Sequence, residues 1–584
     1  MRTVPQIKPG APHAAIDRKR IYAAMTGIFL VNILLRCFYA RYQFINGDEA
    51  VRALTALRML EGGRLYVDVV TDKPPGASLF YLAVLAVFKH NMGAVHFAAI
   101  LWNFGTAAIL YRIGARFYSR STSLWAAFLF VLFSANYFPQ DAMAANTELL
   151  LVLPYSLSFY CWLRSSTWND PRGDHPVGEL VRRAAFGWLF AAGLFTGIAV
   201  LFKQIGVLNI VFFVLYEIVR PRLGVASIPQ PPLINRKAIL RIALLLSGSV
   251  TPLAAMAGWL WSIGALTGFW RNTVALELFY VSSLPEHIWI KFMVTRTFGY
   301  ILFTLSLWAL ASFAVWRALS RSRRSTGRDK SILTPIAAEA PNEGSSNVAF
   351  DLTIAVWGAF SFAGVFASGR FYGHYFIPVL PALSLLGARG VDCLRQSAAR
   401  PENRNRALGV ILALAGVFLF GLVRFHLLTA ALAYEAVTGR TPGRVARFGA
   451  TRRETEAVRV ASAVRDEVGE GGYIYIWGYA LDVYWRSGCR PASRYLTPYY
   501  VTGEFYPEVT SAAGPNDGPF WENARAELID DLKRTRPKLI LNIDEPIQSL
   551  PYPEIVNFID ENYVRDGTLG QSADYQFVVY RRKD

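Results

Sequence analysis

Apolar stretches of membrane-spanning length, broken by polar knots such as Gly47-Asp48-Glu49-Ala50 and Thr71-Asp72-Lys73-Pro74-Pro75-Gly76, run through most of this chain. Runs of roughly 18 or more apolar residues can cross the hydrocarbon, and lipid forces each to be a helix because its backbone groups must be satisfied internally. A soluble core is excluded for this part of the chain. Charged residues make up only 17% of the whole, against roughly 25% in an average soluble domain. The formal charge of +18 does not point to nucleic acid, because the basic residues stand in short loops between apolar runs and form no stripe interleaved with exposed aromatics. Cys37, Cys161, Cys393 and Cys489 form no close pair and no ligand-like spacing, so neither a zinc site nor a disulfide framework is indicated.

Basic residues set the expected topology. Arg18, Lys19 and Arg20 put residues 1–20 in the cytoplasm, before an apolar run at 21–40 that is too long for a signal-peptide core and lacks a small-residue cleavage site. The loop at 41–93 then lies outside, and Arg112, Arg116 and Arg120 mark the next cytoplasmic loop. Of the two apolar segments between, 77–90 and 94–111, only one can span. The first is short and follows Pro74-Pro75-Gly76, so it is expected to lie in the outer interface. Further spans are expected at 122–138, 148–163, 184–201, 206–219, 238–262, 291–316, 352–367, 375–390 and 407–427, about eleven in all. This arrangement keeps Arg182, Arg183, Arg220, Arg222, Arg236 and Lys237 inside, with a basic loop at 317–350 that is expected to be disordered through Ser346. The fold class is thus an α-helical polytopic membrane protein, with a transmembrane domain at 21–429 and an extracytoplasmic α/β domain at 430–584.

In that last region charge rises and short alternating runs appear. Helices are expected at 454–468 and 523–534, and strands at 472–477, 538–543 and 575–580. No Gly-rich phosphate loop joins a strand to a helix there. The aromatics Trp477, Tyr479, Tyr484 and Trp485 read as core more than as a carbohydrate platform.

The topology gathers the polar knots on the outer side: Asp48 and Glu49; Asp72 and Lys73; Gln140, Asp141, Asn146 and Glu148; Lys203 and Gln204; Arg370, Tyr372, His374 and Tyr375. Acids and bases at such a margin suit a substrate with an anionic head and a lipid tail. Each also has a plainer reading. An Asp-Glu pair after a span caps a helix, Lys73 before Pro-Pro anchors at the interface, Arg36 near a span end snorkels, Lys203-Gln204 forms a hairpin turn, and His374 bonds between helices.

At these residues the chain resembles the polyprenyl-phosphate-sugar-dependent membrane glycosyltransferases of the GT-C class, which includes protein O-mannosyltransferases and the lipid A aminoarabinose transferase. The carriers are Gly47-Asp48-Glu49-Ala50, then Leu65-Tyr66-Val67-Asp68 leading to Asp72-Lys73-Pro74-Pro75, and His374-Tyr375-Phe376-Ile377-Pro378-Val379-Leu380-Pro381. The resemblance implies transfer of a sugar to an acceptor hydroxyl on the extracytoplasmic side, with inversion at the anomeric carbon. Asp48 matches the general base, with Glu49 beside it, and a second acid falls at Asp141 or Glu148, with Glu148 preferred. Lys73 matches the residue facing the leaving phosphate, helped by Arg36, Lys203 or Arg370. Asp72, Asp141, Gln204, His374 and Tyr375 are expected to contact substrate.

The expected partners are a polyprenyl-phosphate sugar, a glycan, lipid or protein acceptor and the lipid bilayer, without nucleic acid. No cofactor is expected, although Asp48 with Glu148 could hold a divalent cation. The protein is placed in the inner or plasma membrane as a multi-pass enzyme. The alternative is a transporter or flippase of a lipid-linked saccharide, but such proteins tend to carry midplane charges in repeated halves, and no half-repeat is evident here.

Overall fold

A computed structural model describes residues 12–165, 179–219, 235–326, 343–440, 449–503, 518–543, 546–547, 550–570 and 576–583. Arg220, Arg222 and residues 327–342 of the basic loop expected at 317–350 lie outside the described residues, as do the side chains of Arg182 and Arg183, while the rest of that loop is helical where disorder was expected.

The apolar runs fold as helices: α1 (Pro12–Arg36), α2 (Gly47–Leu60), α3 (Pro75–Phe88), α4 (Met92–Gly114), α5 (Arg120–Phe133), α6 (Thr147–Ser165), α7 (Glu179–Phe202), α8 (Val207–Val219) and α9 (Arg236–Ser262). Their starts follow local chemistry. The side chains of Asn46, Asn91, Ser119 and Asn235 accept from the N–H groups of Glu49, Ala94, Thr122 and Ala238, satisfying donors that the helix itself cannot. Pro75 opens α3, where its missing N–H costs nothing. After α9 the chain makes a turn of helix at Leu266–Phe269, a π-helical turn at Trp270–Ala275 and α10 (Leu276–Ser282). There follow α11 (Glu286–Phe303), α12 (Leu305–Thr326), α13 (Glu343–Phe366), α14 (Leu380–Ala398) and α15 (Arg404–Thr438).

Among the described residues, six helices are long and apolar enough to cross a membrane, or seven if the bent pair α11 and α12 counts as one span. Helix α3, at 14 residues, is about 21 Å long and too short for roughly 30 Å of hydrocarbon. Helices α5 and α8, of 14 and 13 residues, are also shorter than the spans expected at 122–138 and 206–219. The run at 291–316 is not one straight helix, because α11 and α12 meet at 85°. Thr304 stands at the break: its hydroxyl and its N–H both donate to the Tyr300 carbonyl, a back-bonding pattern that bends helices. Along α11 the exposed apolar residues Ile290, Val294 and Phe298 recur every fourth position, while Phe292 and Tyr300 are buried. Large apolar side chains also stand out from α9 and α15, with Trp261 75% and Leu412 70% exposed, which only a lipid surround makes favourable.

The boundary expected at 430 falls inside α15, which continues to Thr438. Beyond it, α16 (Gly449–Val468), α17 (Pro519–Thr535) and α18 (Pro553–Asn562) flank a five-stranded mixed sheet of β1 (Tyr473–Trp477), β2 (Arg490–Pro491), β3 (Leu539–Ile543), β4 (Tyr563–Leu569) and β5 (Phe577–Arg582). The order is β2-β1-β3-β5-β4, with β1 parallel to β2 and β3, and β5 antiparallel to β3 and β4. Strand side chains alternate between faces. Ile474, Ile476, Leu539 and Leu541 share a core with Val460 and Val464 of α16, whereas Tyr475, Trp477, Ile540 and Tyr580 pack with Leu528 of α17 and Ile559 of α18. The second core also takes in Val70 and Leu276 from the helical domain. The sheet is therefore seated directly on the loop that precedes α3 and on the start of α10.

Candidate active site

Where the two domains meet, a cavity of about 490 Å³ is lined by Asp48 and Arg52 of α2, Asp72 and Lys73 of the next loop, Asp141, Tyr280, Tyr372, His374 and Tyr375, and by Gly478, Tyr479 and Tyr499 of the C-terminal domain. Six residues expected at the site, Asp48, Asp72, Lys73, Asp141, His374 and Tyr375, thus share one chamber.

Asp48 stands in the first turn of α2, where the helix dipole favours an anion. Its carboxylate is 44% exposed, within 3.7 Å of the Arg52 guanidinium and 3.2 Å of the Tyr479 hydroxyl. Arg52 also donates to the Asp48 backbone carbonyl at 2.5 Å and is itself buried. Asp48 therefore presents a fixed, solvent-reached oxygen to the cavity. Glu49 points the other way, since adjacent residues on a helix do not share a face. It is fully buried, accepts 2.7 Å hydrogen bonds from the N–H groups of Ile45 and Ala145, and lies 3.2 Å from the His96 ring. Its place is that of a staple between the first loop, α4 and the segment before α6.

Lys73 does not stand free. Its ammonium lies 2.9 Å from Asp72 and 3.0 Å from Glu277 on α10. Burial alone would lower it, but the two carboxylates outweigh that and hold it well above the ordinary lysine value. Burial likewise works against the charge of Asp72, and Lys73 beside it keeps the carboxyl below its ordinary range. Close by, Arg370 packs its guanidinium 4.5 Å from the Tyr280 ring centroid. Only 1% of it is exposed; Nη2 donates to the Tyr280 carbonyl at 3.4 Å, and Nε and Nη1 have no partner among the described residues. A buried guanidinium with spare donors can take up an anion that reaches it.

Asp141 and Glu148 converge on one imidazole. His374 Nδ1 lies 2.5 Å from Asp141, and its Nε2 lies 3.8 Å from Glu148. Glu148 also accepts from Lys203 and from the Thr147 hydroxyl, and Lys203 sits 3.8 Å from the Tyr375 ring centroid. A chain Asp141, His374, Glu148, Lys203 thus runs from the chamber wall, where Asp141 and His374 stand, to the buried Glu148 and Lys203, tying α6 and α7 to the turn before α14.

Two expected contacts are engaged elsewhere. Arg36 is buried against the carbonyl and hydroxyl of Ser134, each at 3.0 Å. Gln204 donates to the Thr273 carbonyl. Among the described residues no group of three or more His, Cys, Asp or Glu is arranged to hold a metal, and Glu148 is committed to Lys203. Arg52, Glu277, Tyr280 and Arg296 were not singled out from the sequence. Arg52 follows Asp48 by one helical turn, a spacing that signals a pair. Arg296 of α11 donates to the Arg370 carbonyl at 2.9 Å and lies against the rings of Phe292 and Tyr372.

Residues 72–247 match the family model described as dolichyl-phosphate-mannose-protein mannosyltransferase. Apo ArnT from Cupriavidus metallidurans aligns with a TM-score of 0.54 at 14% identity, over 97% of this chain and 98% of that one. The same protein bound to undecaprenyl phosphate gives 0.52 at 12% identity, over 98% of both chains. The archaeal oligosaccharyltransferase AglB from Archaeoglobus fulgidus, in complex with an inhibitory peptide and a dolichol-phosphate, gives 0.52 at 11% identity, over 90% of this chain and 69% of that one. No curated protein matches the sequence. The family model covers less than a third of the chain, and the likeness to these solved structures shows that the fold is shared with ArnT and AglB.

Proposed function

We propose that this chain is a glycosyltransferase that moves a sugar from a polyprenyl-phosphate donor to an acceptor hydroxyl at the outer face of the membrane. The observation that carries the reading is one chamber with an accessible carboxylate, Asp48, on one wall and the unsatisfied buried guanidinium of Arg370 behind another. An alcohol is a poor nucleophile at neutral pH. Asp48 accepts its proton as the new bond to the anomeric carbon forms, and the bond from that carbon to the phosphate oxygen breaks. Help of this kind is typically worth roughly 100- to 10,000-fold. The leaving phosphate carries away the electron pair and needs positive charge more than a proton. Arg370, next to Tyr280, supplies it, with Lys73 and Arg296 nearby. Attack from the Asp48 side, opposite the departing phosphate, inverts the anomeric centre.

Lys73 is reassigned within this reading. With Asp72 and Glu277 both on its ammonium, its charge is spent in holding α10 against the loop. It reaches a phosphate only if one of those contacts opens. The basic residues Arg112, Arg120, Arg236, Arg395 and Arg404 lie at the ends of α4, α5, α9, α14 and α15 away from the chamber loops in sequence, which by the positive-inside rule supports an outer chamber and an outer C-terminal domain. A transporter would leave an exposed base at Asp48 without a task.

Purified protein in nanodiscs, given radiolabelled polyprenyl-phosphate sugars and membrane extracts, tests the reading. Asp48→Asn should bind donor normally and transfer none. Full transfer by that variant would refute it.

A further inference from the structure

The C-terminal domain does more than cover the chamber. Strand β1 ends at Trp477, and Gly478 turns the chain at φ +147°, a conformation that side chains rarely adopt. That turn lifts Tyr479 off the sheet and lays it over the start of α2. The fit is close: a Cβ on Gly47 would lie 2.0 Å from Tyr479 Cε1, so the ring occupies the space that the missing side chain leaves. From there the hydroxyl reaches Asp48 Oδ1 at 3.2 Å, while the residue stays 42% exposed. Residues 48 and 479 belong to different domains, and this contact joins the proposed base to the sheet.

We propose that Tyr479 is a positioning residue for the base: its hydroxyl holds the Asp48 carboxylate in the orientation that receives the acceptor proton, so that the base is competent only with the C-terminal domain seated on α2. This rests on the reading of Asp48 as the base. The second carboxylate oxygen faces Arg52 at 3.7 Å. A carboxylate pinned at one oxygen by a cation one helical turn away and at the other by a neutral hydroxyl from a second domain has its rotation fixed without being neutralised. Asp48 acts electrostatically on Arg52 of α2 and Tyr81 of α3, and Asp72, Lys73, Asp141 and His374 line the same chamber. Removing the tyrosine hydroxyl takes away a donor to the anion and leaves the ring packing over Gly47 intact.

The test is Tyr479→Phe in the full chain in nanodiscs, assayed with a radiolabelled polyprenyl-phosphate sugar beside Asp48→Asn. A single lost hydrogen bond to a charged group should lower kcat by roughly 10- to 150-fold. Donor KM should stay within about twofold, since the donor makes no use of this contact. A merely structural tyrosine would lower the folded yield and leave kcat per folded molecule unmoved. Gly47→Ala should reproduce the loss by displacing the ring, and adding Tyr479→Phe to it should cost little more. An unchanged kcat per folded molecule in Tyr479→Phe, with Asp48→Asn inactive, would overturn the inference and leave the base in place. Activity in Asp48→Asn itself would instead remove the base, and this inference with it.

Discussion

Arg370→Met separates a guanidinium that waits for a ligand from one that holds the fold. Arg370 is 1% exposed and makes one 3.4 Å hydrogen bond, and two of its nitrogens have no partner. Leaving a buried donor unsatisfied costs about 1 to 3 kcal/mol, so two such nitrogens cost about 2 to 6. Stacking on Tyr280 returns about 2 kcal/mol at a desolvated site. An apolar side chain of similar reach needs no such partners, a difference of up to about 4 kcal/mol in its favour. Arg370→Met should unfold at the same temperature as the parent or higher. Donor binding should fall, because each charge-assisted bond to the phosphate is worth about 1.5 to 3 kcal/mol, and losing even one costs roughly 10- to 150-fold. Thermal unfolding in nanodiscs with and without a polyprenyl phosphate reads both quantities: the ligand should raise the midpoint of the parent and leave that of the variant unmoved. A variant that melts several degrees lower and keeps its donor response would refute the argument.

Glu49→Gln weakens the bonds from Ile45 and Ala145 to a buried carboxylate, so its midpoint should drop by several degrees while turnover per folded molecule stays within about threefold; thermal unfolding and active-site titration check this. Lys73→Met strands Asp72 and Glu277 as uncompensated carboxylates and should destabilise by about 3 to 5 kcal/mol, with Glu277→Gln added on top restoring part of it. Because Lys73 depresses the Asp72 carboxyl, the stability from this pair is full above the unfolded value of about 3.9 and is lost as pH falls through the lower folded value, so the parent should lose stability below about pH 4 more steeply than Lys73→Met in acid titrations followed by unfolding. A protease added to intact spheroplasts should remove the C-terminal domain, and protection until lysis would reverse the proposed sidedness.

What the sequence made legible follows from what each signal measures. Asp48, Asp72, Lys73, Asp141, His374 and Tyr375 are polar groups at the ends of apolar runs, and helix ends that alternate sides must gather them. Polarity does not say which way a side chain points. Glu49 and Asp48 are neighbours in the chain yet face opposite directions, and Arg36 is turned into the bundle against Ser134. Glu277 and Tyr280 were hidden because α10 follows a π-helical turn, where no periodic pattern marks a face. The break at Thr304 has neither proline nor glycine to announce it. Among the strands, β2 has two residues, and most of β4 is exposed along its length without alternation, so neither carries the pattern by which β1, β3 and β5 are recognised. Tyr479 reads as core because the fit of its ring over Gly47 joins positions 432 apart in the chain, 479 less 47.

On the proposed function, the 85° break between α11 and α12 also bears on how reactants meet. Ile290, Val294 and Phe298 turn one side of α11 outward, and Arg296 reaches from its other side to the Arg370 carbonyl. A donor whose tail stays among lipids would then approach along a plane, past an oily surface backed by cations. Its effective abundance is its mole fraction in the sheet of lipid, not its molarity in the tube. Adding inert phospholipid at constant donor and protein thins the population each enzyme molecule samples, so turnover falls although nothing in the buffer has changed.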